Sequence, residues 1–489
     1  MWCVELQRED AERIALAGGE PARELVLGLL DQLAKLQERV ARLEEQSRRS
    51  SRNSSSPPSQ DAPKTRAERR REAREKAKAW AKEQDKQRKQ GAQPGHEGSG
   101  RKLLPEDQMN EIRQHYPDQC GGCGHEFQDE EKTPGETFGR HQVADLPPVA
   151  IVYIEHRTHH LSCPSCGKTT AGRLPAEVAG SPFGTGVQAA VVTLTARNRV
   201  SRRDMPELAR ELFGLGISSG AVDAICQRAA KALCQPHKLL VEKVLSSPAV
   251  NVDETGWYTS AEARTLWTAT TPEAAIFKVM QDRHRDRLEE LIGKHFKGIV
   301  GSDRWWAYDL IDVDSRQACW EHLKRDFFKH SEGLAEQKQF GIAGLALTKR
   351  LFKAWHGFQE HGDRGRLIRE MKPIQDELRK LLEHAARKSM RNRHHRRFAK
   401  NLLKLWPALW TFVTVVGVEP TNNSAERALR GPVIYRRLSH GTQSNNGERF
   451  IERALSVSVT CRLQARSMFR YMRELLTANV RGDPLPTLA

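Results

Sequence analysis

Two adjacent acids, Asp253 and Glu254, lie within the run "NVDETGWYTS" (residues 251–260), which predicts a buried β-strand. A third acid, Asp303, follows the apolar residues of a later run, "GIVGSDRWWAYDLI". A carboxylate at the end of a strand can simply cap a turn. Two carboxylates held close together repel each other, however, and a divalent cation removes that cost. Because Mg²⁺ prefers hard oxygen ligands and needs few protein contacts, Asp253 and Asp303 predict a magnesium site if their strands are neighbours.

A further carboxylate is expected from the segment "VEPTNNSAERALRGPVIYRRLSHGTQSNNGERF", residues 418–450. Glu426 lies in a helix that follows a turn, and Glu419 and Glu448 are the alternatives. Three carboxylates can hold two divalent ions, of which one activates water or a 3′ hydroxyl and the other stabilises the leaving oxygen of a phosphodiester. The residue types therefore predict metal-dependent phosphodiester chemistry.

Four cysteines occur as two pairs, each with a two-residue gap. They are Cys120 and Cys123 in "CGGC", and Cys163 and Cys166 in "CPSC". This spacing lets two thiolates reach one ion, and two such pairs complete a tetrahedral zinc site without an open position for chemistry. A mixed ligand set is the alternative, drawn from His125, His159 and His160. Between the pairs, the apolar run "VAIVYIEHR" predicts a strand of a zinc ribbon.

The acids need a sheet to position them. "AVNVDETGWYTS", "TLWTATT" and "AIFKVM" predict three sequential strands, "RHRDRLEELIGKHF" predicts a helix, and the acid-tipped run that ends at Asp303 predicts a fourth strand. "RQACW" predicts a fifth strand, followed by the helix "EHLKRDFFKH". This order is that of an RNase H-like fold, in which the first and fourth strands are neighbours. Asp253 and Asp303 would then face one another.

Helices are predicted in the segments that precede and follow these strands along the chain. Residues 184–235 contain three candidates, with Ser201 as the expected cap of the second, and they suit either a helix-turn-helix or a plain helical bundle. The basic flank "ARNRVSRR" favours DNA binding, through Arg202 and Arg203. The insertion 331–417 is helical and basic, and "RNRHHRRFAK" predicts contacts with the DNA backbone. The candidates there are Arg391, Arg393, Arg396 and Arg397.

The first hundred residues differ in character from the rest. Residues 22–46 carry a short leucine-rich heptad seam that predicts a self-associating coiled coil or, alternatively, a helix packed on its own chain. The seam residues are Val26, Leu29, Leu33, Leu36, Val40 and Leu43. A Ser/Pro-rich linker and a basic helix-prone run follow.

The composition fits a protein that binds a polyanion. The chain has 489 residues and a formal net charge of +17, so nucleic acid is the expected partner. It contains no run of 18 apolar residues, which argues against a membrane span, and its N-terminus lacks the pattern of a signal peptide. We therefore expect a cytoplasmic, nucleoid-associated protein, in which the nine cysteines stay reduced and the paired ones bind metal.

Several motifs in this order resemble the DDE transposases of bacterial insertion sequences, specifically the IS-sixty-six family. They are "QPGHEG", "CGGC…CPSC", "VDET", "GSDRWWAY", "CWEHLKRDF", "EPTNNSAERALR" and "SHGTQSNNGERFIERALSVSVTCR". The resemblance implies that Asp253, Asp303 and Glu426 are the catalytic triad and hold two magnesium or manganese ions. It also implies auxiliary roles near the active site for Cys319 and His322, a Cys-x-x-His pattern. Arg427 and Arg430, on the helix of Glu426, are further auxiliary candidates.

The resemblance further implies binding to terminal inverted repeats, strand cleavage that exposes a 3′ hydroxyl, and attack of that hydroxyl on target DNA. The expected partners are the element ends and target as double-stranded DNA, a second copy of the chain in the DNA complex, and accessory proteins of the same element. Two alternatives are an RNase H-like nuclease that does not join strands and a DNA-binding protein without catalysis. Tyr153 and Tyr435 lack the His and Arg partners of a nucleophilic tyrosine.

The expected fold class is a multidomain α+β protein with a zinc ribbon and an RNase H-like α/β catalytic domain. The predicted division is a coiled-coil helix (1–48), a linker and basic helix (49–100), a zinc-binding domain (101–175), a helical DNA-binding domain (180–245), the first part of the catalytic core (246–330), a helical insertion (331–417), and the third acid with C-terminal helices (418–480).

Overall fold

A computed structural model of the chain describes most residues after position 102. The described residues are 103–132, 137, 139–146, 151–333, 335–387 and 393–489, together with 28, 29 and 32. Those after position 102 fall into two units, one within 103–146 and the other within 151–489. The predicted coiled coil and basic helix lie outside the described residues, apart from those three isolated positions. The predicted zinc-binding domain has residues in both units.

Short hydrogen-bonded turns characterise the described part of the smaller unit. It contains two 3₁₀ turns, Glu106–Gln108 and Asp129–Glu131, and an antiparallel bridge between Gln119 and Glu126.

The larger unit begins with an extended segment and a small hairpin. Strands β1 (His160–Ser162) and β2 (Thr169–Ala171) pair antiparallel. The prediction that the strand lies in "VAIVYIEHR" is wrong, because residues 151–159 form no strand and the first strand begins at His160. A β-prone side-chain pattern forms a strand only where a neighbouring strand pairs with its backbone and other side chains pack on its face.

Within residues 151–248, five helices precede the main sheet: α1 (Ala176–Ala179), α2 (Thr185–Ala196), α3 (Met205–Phe213), α4 (Ser219–Ala232) and α5 (Cys234–Leu245). Ser201 does not cap α3 as predicted, since α3 begins at Met205 and the Ser201 hydroxyl accepts a hydrogen bond from the N–H of Asp204 in the preceding turn. Gly214 ends α3 in the left-handed region, at φ 63°, which suits a residue without a Cβ.

These helices have no core of their own. Val222 and Ile225 of α4 are buried in the same apolar cluster as Val252 and Trp267 of the sheet and Ile451 near the C-terminus. The predicted DNA-binding segment 180–245 is therefore packed against the main sheet along one face of α4.

The main sheet has five strands: β3 (Ala249–Thr259), β4 (Glu262–Thr270), β5 (Ala275–Met280), β6 (Ile299–Ser302) and β7 (Arg316–Ala318), with helix α6 (Arg285–Ile292) between β5 and β6. The strand order is β5-β4-β3-β6-β7. The first three strands pair antiparallel, whereas β6 joins β3 and β7 in parallel. All five strands and the neighbouring positions of β3 and β6 were predicted from the sequence.

The predicted insertion consists mainly of helices in its described residues and has its own core. Its helices, from the one that precedes it, are α7 (Trp320–Ser331), α8 (Ala335–His361), α9 (Arg364–Ala385), α10 (Arg393–Lys404) and α11 (Thr411–Thr414). Apolar residues of all of these pack in one cluster, which includes Trp320, Leu351, Met371, Leu402 and Phe412.

Three helices complete the chain: α12 (Asn423–Ser439), α13 (Asn445–Leu463) and α14 (Met468–Arg481). Helix α12 lies on β3 and α13 on β5. Polar side chains of α13 bind the edge of β5, since the hydroxyls of Ser456 and Thr460 accept hydrogen bonds from the N–H groups of Phe277 and Ala275. Among the described residues, no helix has the length and apolar character needed to cross a membrane.

Candidate active site

The two acids of β3 lie on opposite faces of the sheet. Strand β3 pairs with β4 without a bulge, so alternate side chains point to opposite sides. Trp257, on the face of Asp253, stacks on Tyr435 of α12 with ring centroids 6.2 Å apart. Glu254 instead contacts Tyr308, in the 3₁₀ turn that follows β6. Asp253 therefore faces α12, and Glu254 faces the other layer.

Asp303 lies level with Asp253. In the parallel pair of β3 and β6, Asn251 stands opposite Gly301, so each acid comes two residues beyond this matched pair. The Asp303 carboxylate accepts a hydrogen bond of 2.8 Å from the backbone N–H of Trp305. Its main-chain oxygen accepts one of 2.7 Å from the buried guanidinium of Arg316. The turn after β6 thus fixes both the backbone and the side chain of Asp303.

Burial raises the pKa values of both carboxyls, and negative neighbours raise that of Asp253 further. Burial, followed by the charges of Glu254, Asp303 and Glu426, holds the pKa of Asp253 well above its usual range. Burial also raises the pKa of Asp303, against the opposing effects of the Trp305 N–H and neighbouring arginines. Since the negative charges destabilise one another, a bound cation would be favoured here.

Glu254 belongs to a buried hydrogen-bond network that the sequence analysis did not find. Its side chain is 2% exposed. One oxygen accepts a 2.6 Å hydrogen bond from the hydroxyl of Tyr308, and the other accepts two from Arg283. The Arg283 guanidinium also lies 4.5 Å from the ring centroid of Trp305. Burial and then Asp303 raise the pKa of Glu254, whereas Tyr308 and Arg283 oppose that rise.

Glu426 lies in the first turn of α12, where that helix meets β3. Asn422, directly before α12, donates a hydrogen bond from its side chain to the carbonyl oxygen of Val252. The charge of Glu426 contributes to the raised pKa of Asp253, so the two carboxylates are within electrostatic reach.

The two alternative third acids are placed differently. Glu419 is exposed in the loop before α12. Glu448 accepts a 2.6 Å hydrogen bond from the hydroxyl of Thr259, at the far end of β3 from Asp253. The structure therefore brings Glu426, rather than Glu448, to the acids of β3 and β6.

Glu426 also closes a compact group with Cys319 and His322. One potential ligand atom from each residue lies within 4.8 Å of the other two, and this is the sole group of its kind among the described residues. Glu426 Oε1 is 3.6 Å from His322 Nδ1 and 3.5 Å from the guanidinium of Arg325. Burial raises the pKa of the Cys319 thiol to about 12 and, with Arg325, lowers that of His322 to about 3. Both side chains are therefore neutral at pH 7.

A basic cavity opens beside Glu426. Its volume is about 210 Å³, and its lining residues are Glu321, Arg325, Asn423, Glu426, Arg427 and Arg430. Arg427 and Arg430 were candidates from the sequence. Arg325 was missed, although its three-residue separation from His322 on a helix is a usable signal.

The predicted DNA-contacting arginines have different surroundings. Arg202 forms an ion pair with Asp223 and lies 5.7 Å from the ring centroid of Phe450, so its charge is already partly matched. Arg203 is exposed. Arg397 lines a second cavity of about 300 Å³ together with Arg304.

Arg391, Arg393 and Arg396 were also predicted to contact DNA. Arg391 and the side chain of Arg393 lie outside the described residues, and Arg396 is partly buried and makes interactions within the protein.

Both cysteine pairs form the same tight turn, each in its own unit. The N–H of Cys120 donates to the carbonyl of His125, and the N–H of Cys163 donates to the carbonyl of Lys168. Each turn closes on a glycine, Gly124 or Gly167, at φ 77° and 71°. Backbone and thiol hydrogen bonds from the second cysteine lower the pKa of the first one in each pair. Both turns therefore favour thiolate, the form that binds metal.

The nearby histidines show no comparable arrangement. His125 Nε2 lies 3.1 Å from a carboxylate oxygen of Glu131, and His159 and His160 are exposed.

Comparison with known proteins identifies the family. The model of the Transposase IS66 family matches residues 180–449, more than half of the chain, which spans the described sheet, the helical insertion and α12. The chain belongs to this family, as the resemblance had indicated. A family of unknown function, DUF6444, matches residues 9–102.

The chain is also similar to "Uncharacterized protein y4hP" of Sinorhizobium fredii (strain NBRC 101917 / NGR234), with 24% identity over 308 residues. That match covers 56% of this chain and 55% of the relative, so the chain spans about half of that protein's length.

Proposed function

We propose that this protein is a DDE transposase that binds the ends of an insertion sequence and catalyses metal-dependent strand cleavage and strand transfer. One observation carries the proposal. Asp253 and Asp303 stand level on neighbouring parallel strands, and Glu426 approaches Asp253 from the first turn of α12. Membership of a transposase family supports the assignment of this acidic cluster to DNA chemistry.

The residues fit divalent metal ions. Asp253, Asp303 and Glu426 offer only hard oxygen donors. Burial and then the charges of neighbouring carboxylates raise the pKa of Asp253, and bound cations would neutralise those charges. Asp253, Asp303 and Glu426 would hold these ions. When bound, such ions activate the attacking oxygen and stabilise the leaving oxygen.

The other residues of the site hold the acids and bind the substrate. The Trp305 N–H orients Asp303, and the bond between Asn422 and β3 fixes the start of α12. Arg325, Arg427 and Arg430 line the cavity beside Glu426, where their guanidinium groups can bind phosphate oxygens. Basic residues outnumber acidic residues in the chain, and this net positive charge supplies the remaining, sequence-independent attraction for DNA.

A covalent tyrosine intermediate is less well supported. Tyr435 is stacked under Trp257, and burial raises the pKa of its hydroxyl to about 12. Tyr153 is exposed on the extended segment before β1. Direct attack by water or by a 3′ hydroxyl requires neither residue.

Strand transfer with labelled element ends in Mg²⁺ or Mn²⁺ tests the proposal. Asp253→Asn, Asp303→Asn and Glu426→Gln should each abolish joined products and keep end binding, because each removes one ligand charge and little volume. Glu448→Gln is the matched control and should stay active.

The other outcomes separate the alternatives. Cleavage without joining would indicate a nuclease, and binding without any metal-dependent reaction would indicate a DNA-binding protein. Full activity of Glu426→Gln would show that another residue supplies the third carboxylate.

We also propose that the two cysteine turns bind structural zinc. Their common geometry and thiolate-favouring hydrogen bonds support this role. That all four thiolates share one ion stays a prediction from their spacing, as do the second copy of the chain and the accessory proteins in the DNA complex.

A further inference from the structure

The group formed by Cys319, His322 and Glu426 has the donors of a metal site of a different kind from the acidic cluster. Cys319 directly precedes α7, and His322 lies one turn further on the same helix. Glu426 reaches them from the first turn of α12. The three ligand atoms lie within 4.8 Å of one another, so one ion can contact all three.

Two of these atoms lack a hydrogen-bond partner within the protein, although the Arg325 guanidinium lies 3.5 Å from Glu426 Oε1. His322 Nδ1 and Glu426 Oε1 are buried and make no hydrogen bond, and the same holds for the side-chain oxygen of the neighbouring Asn422. A buried polar atom without a partner costs about 1–3 kcal/mol, and such atoms seldom occur in native proteins without a reason. Several of them together next to a thiol indicate a site that binds something.

We propose that Cys319, His322 and Glu426 bind a borderline transition-metal ion, of which Zn²⁺ is the type case. Sulfur, imidazole nitrogen and carboxylate oxygen together suit Zn²⁺ or Co²⁺, whereas Mg²⁺ takes oxygen alone. On binding, the S–H bond of Cys319 breaks, a sulfur–metal bond forms and the proton passes to solvent. Of the three residues that would hold the ion, Glu426 lines the adjoining basic cavity.

This site shares Glu426 with the proposed catalytic triad, and the consequence rests on the proposed function. A carboxylate drawn to a metal between Cys319 and His322 is withdrawn from Asp253. Zn²⁺ should therefore inhibit the magnesium-dependent reaction, because the same side chain cannot serve both sites equally. The group would act as an inhibitory metal site in transposition.

Cobalt binding to the full-length protein tests the site directly. Co²⁺ is titrated into the metal-free protein while the thiolate-to-cobalt charge-transfer absorption is followed, so that the cysteine turns and the Cys319 group both take up cobalt. Wild type should bind one cobalt ion more than Cys319→Ala. Cys226→Ala is the matched control, since Cys226 is also wholly buried but lies in the other core. Equal cobalt binding by wild type and Cys319→Ala would overturn the proposal.

A second variant keeps the test decisive if Cys319→Ala fails to fold. His322→Gln should weaken cobalt binding by at least roughly tenfold, the scale on which metal sites respond to the loss of a supporting group. Unchanged affinity in His322→Gln would contradict the site.

The inhibition is tested separately. For each protein, strand transfer with Zn²⁺ is divided by its own strand transfer without Zn²⁺. This ratio should fall for wild type and Cys226→Ala and stay near one for Cys319→Ala. An equal fall in all three would refute the inhibitory role. A cobalt site in a protein without strand transfer would overturn the proposed function and leave the metal site standing.

Discussion

Removal of the Tyr308 hydroxyl should destabilise the protein more than removal of an equally buried hydroxyl elsewhere. Tyr308 is fully buried, and its hydroxyl lies 2.6 Å from a carboxylate oxygen of Glu254, whose side chain is 2% exposed. Solvent screens this pair very little. In Tyr308→Phe the carboxylate keeps Arg283 on one oxygen and loses the partner of the other.

The size of the effect follows from the charge of Glu254. A hydrogen bond to an ionised group contributes about 1.5–3 kcal/mol, against about 0.5–1.5 kcal/mol for a neutral pair. At roughly 2 °C per kcal/mol for a large domain, Tyr308→Phe should lower Tm by about 3–6 °C at pH 8 without divalent metal.

The loss should also depend on pH. The Tyr308 bond lowers the pKa of Glu254, so its removal raises that pKa further in the folded state. A carboxyl with a raised folded pKa loses stability as pH rises above its unfolded value of 4.5. The deficit of Tyr308→Phe should therefore grow from pH 5 to pH 8.

Tyr471→Phe provides the control. Tyr471 is 1% exposed, and its hydroxyl donates a 3.1 Å hydrogen bond to the carbonyl oxygen of Pro486, a neutral acceptor. Thermal unfolding of both variants at pH 5 and pH 8 decides the matter. An equal loss in the two variants, or a Tyr308→Phe loss that does not change with pH, would refute an ionised Glu254 as the partner.

Three further predictions concern the sheet, its covering helix and the cysteine turns. A Cβ at Gly301 would overlap the side-chain oxygen of Asn251 between the two acid-bearing strands, so Gly301→Ala should lower the free energy of unfolding by about 1–3 kcal/mol. Gly216 has open space around it, so Gly216→Ala should stay near wild type when both variants are measured by denaturant titration. Burial raises the pKa of Glu452 to about 7, so the wild type loses stability as pH rises from 4.5 towards 7. Glu452→Gln should therefore exceed the wild-type free energy of unfolding by about 2–3 kcal/mol at pH 8 and equal it below pH 4.5. Unfolding measured at several pH values checks this. Cys166→Ser should lower the zinc content determined by elemental analysis, and an unchanged content would exclude this thiol as a ligand.

Some elements were predictable because their signals are local. Turn residues separate the β-prone run that contains Asp253 from those that follow it. The run "AIFKVM" forms β5 with the predicted bounds. The helical insertion was also recognisable, since its apolar residues recur at helical spacing over long stretches. The wrong strand assignment in "VAIVYIEHR" had an equally local signal, but its described residues, 151–157, pair with no strand.

The sequence by itself determined the order of the strands, the acids that follow them and the two cysteine turns, because each depends on neighbouring residues. Only the tertiary structure decided what each acid contacts. Strand alternation sends Asp253 towards α12 and Glu254 towards Tyr308. The approach of α12 to α7 places Glu426 beside Cys319 and His322, which precede it by more than a hundred residues. Sequence periodicity does not predict such a contact. The contact arises when whole elements pack together, and the distance between two elements in space does not follow from their separation in the chain.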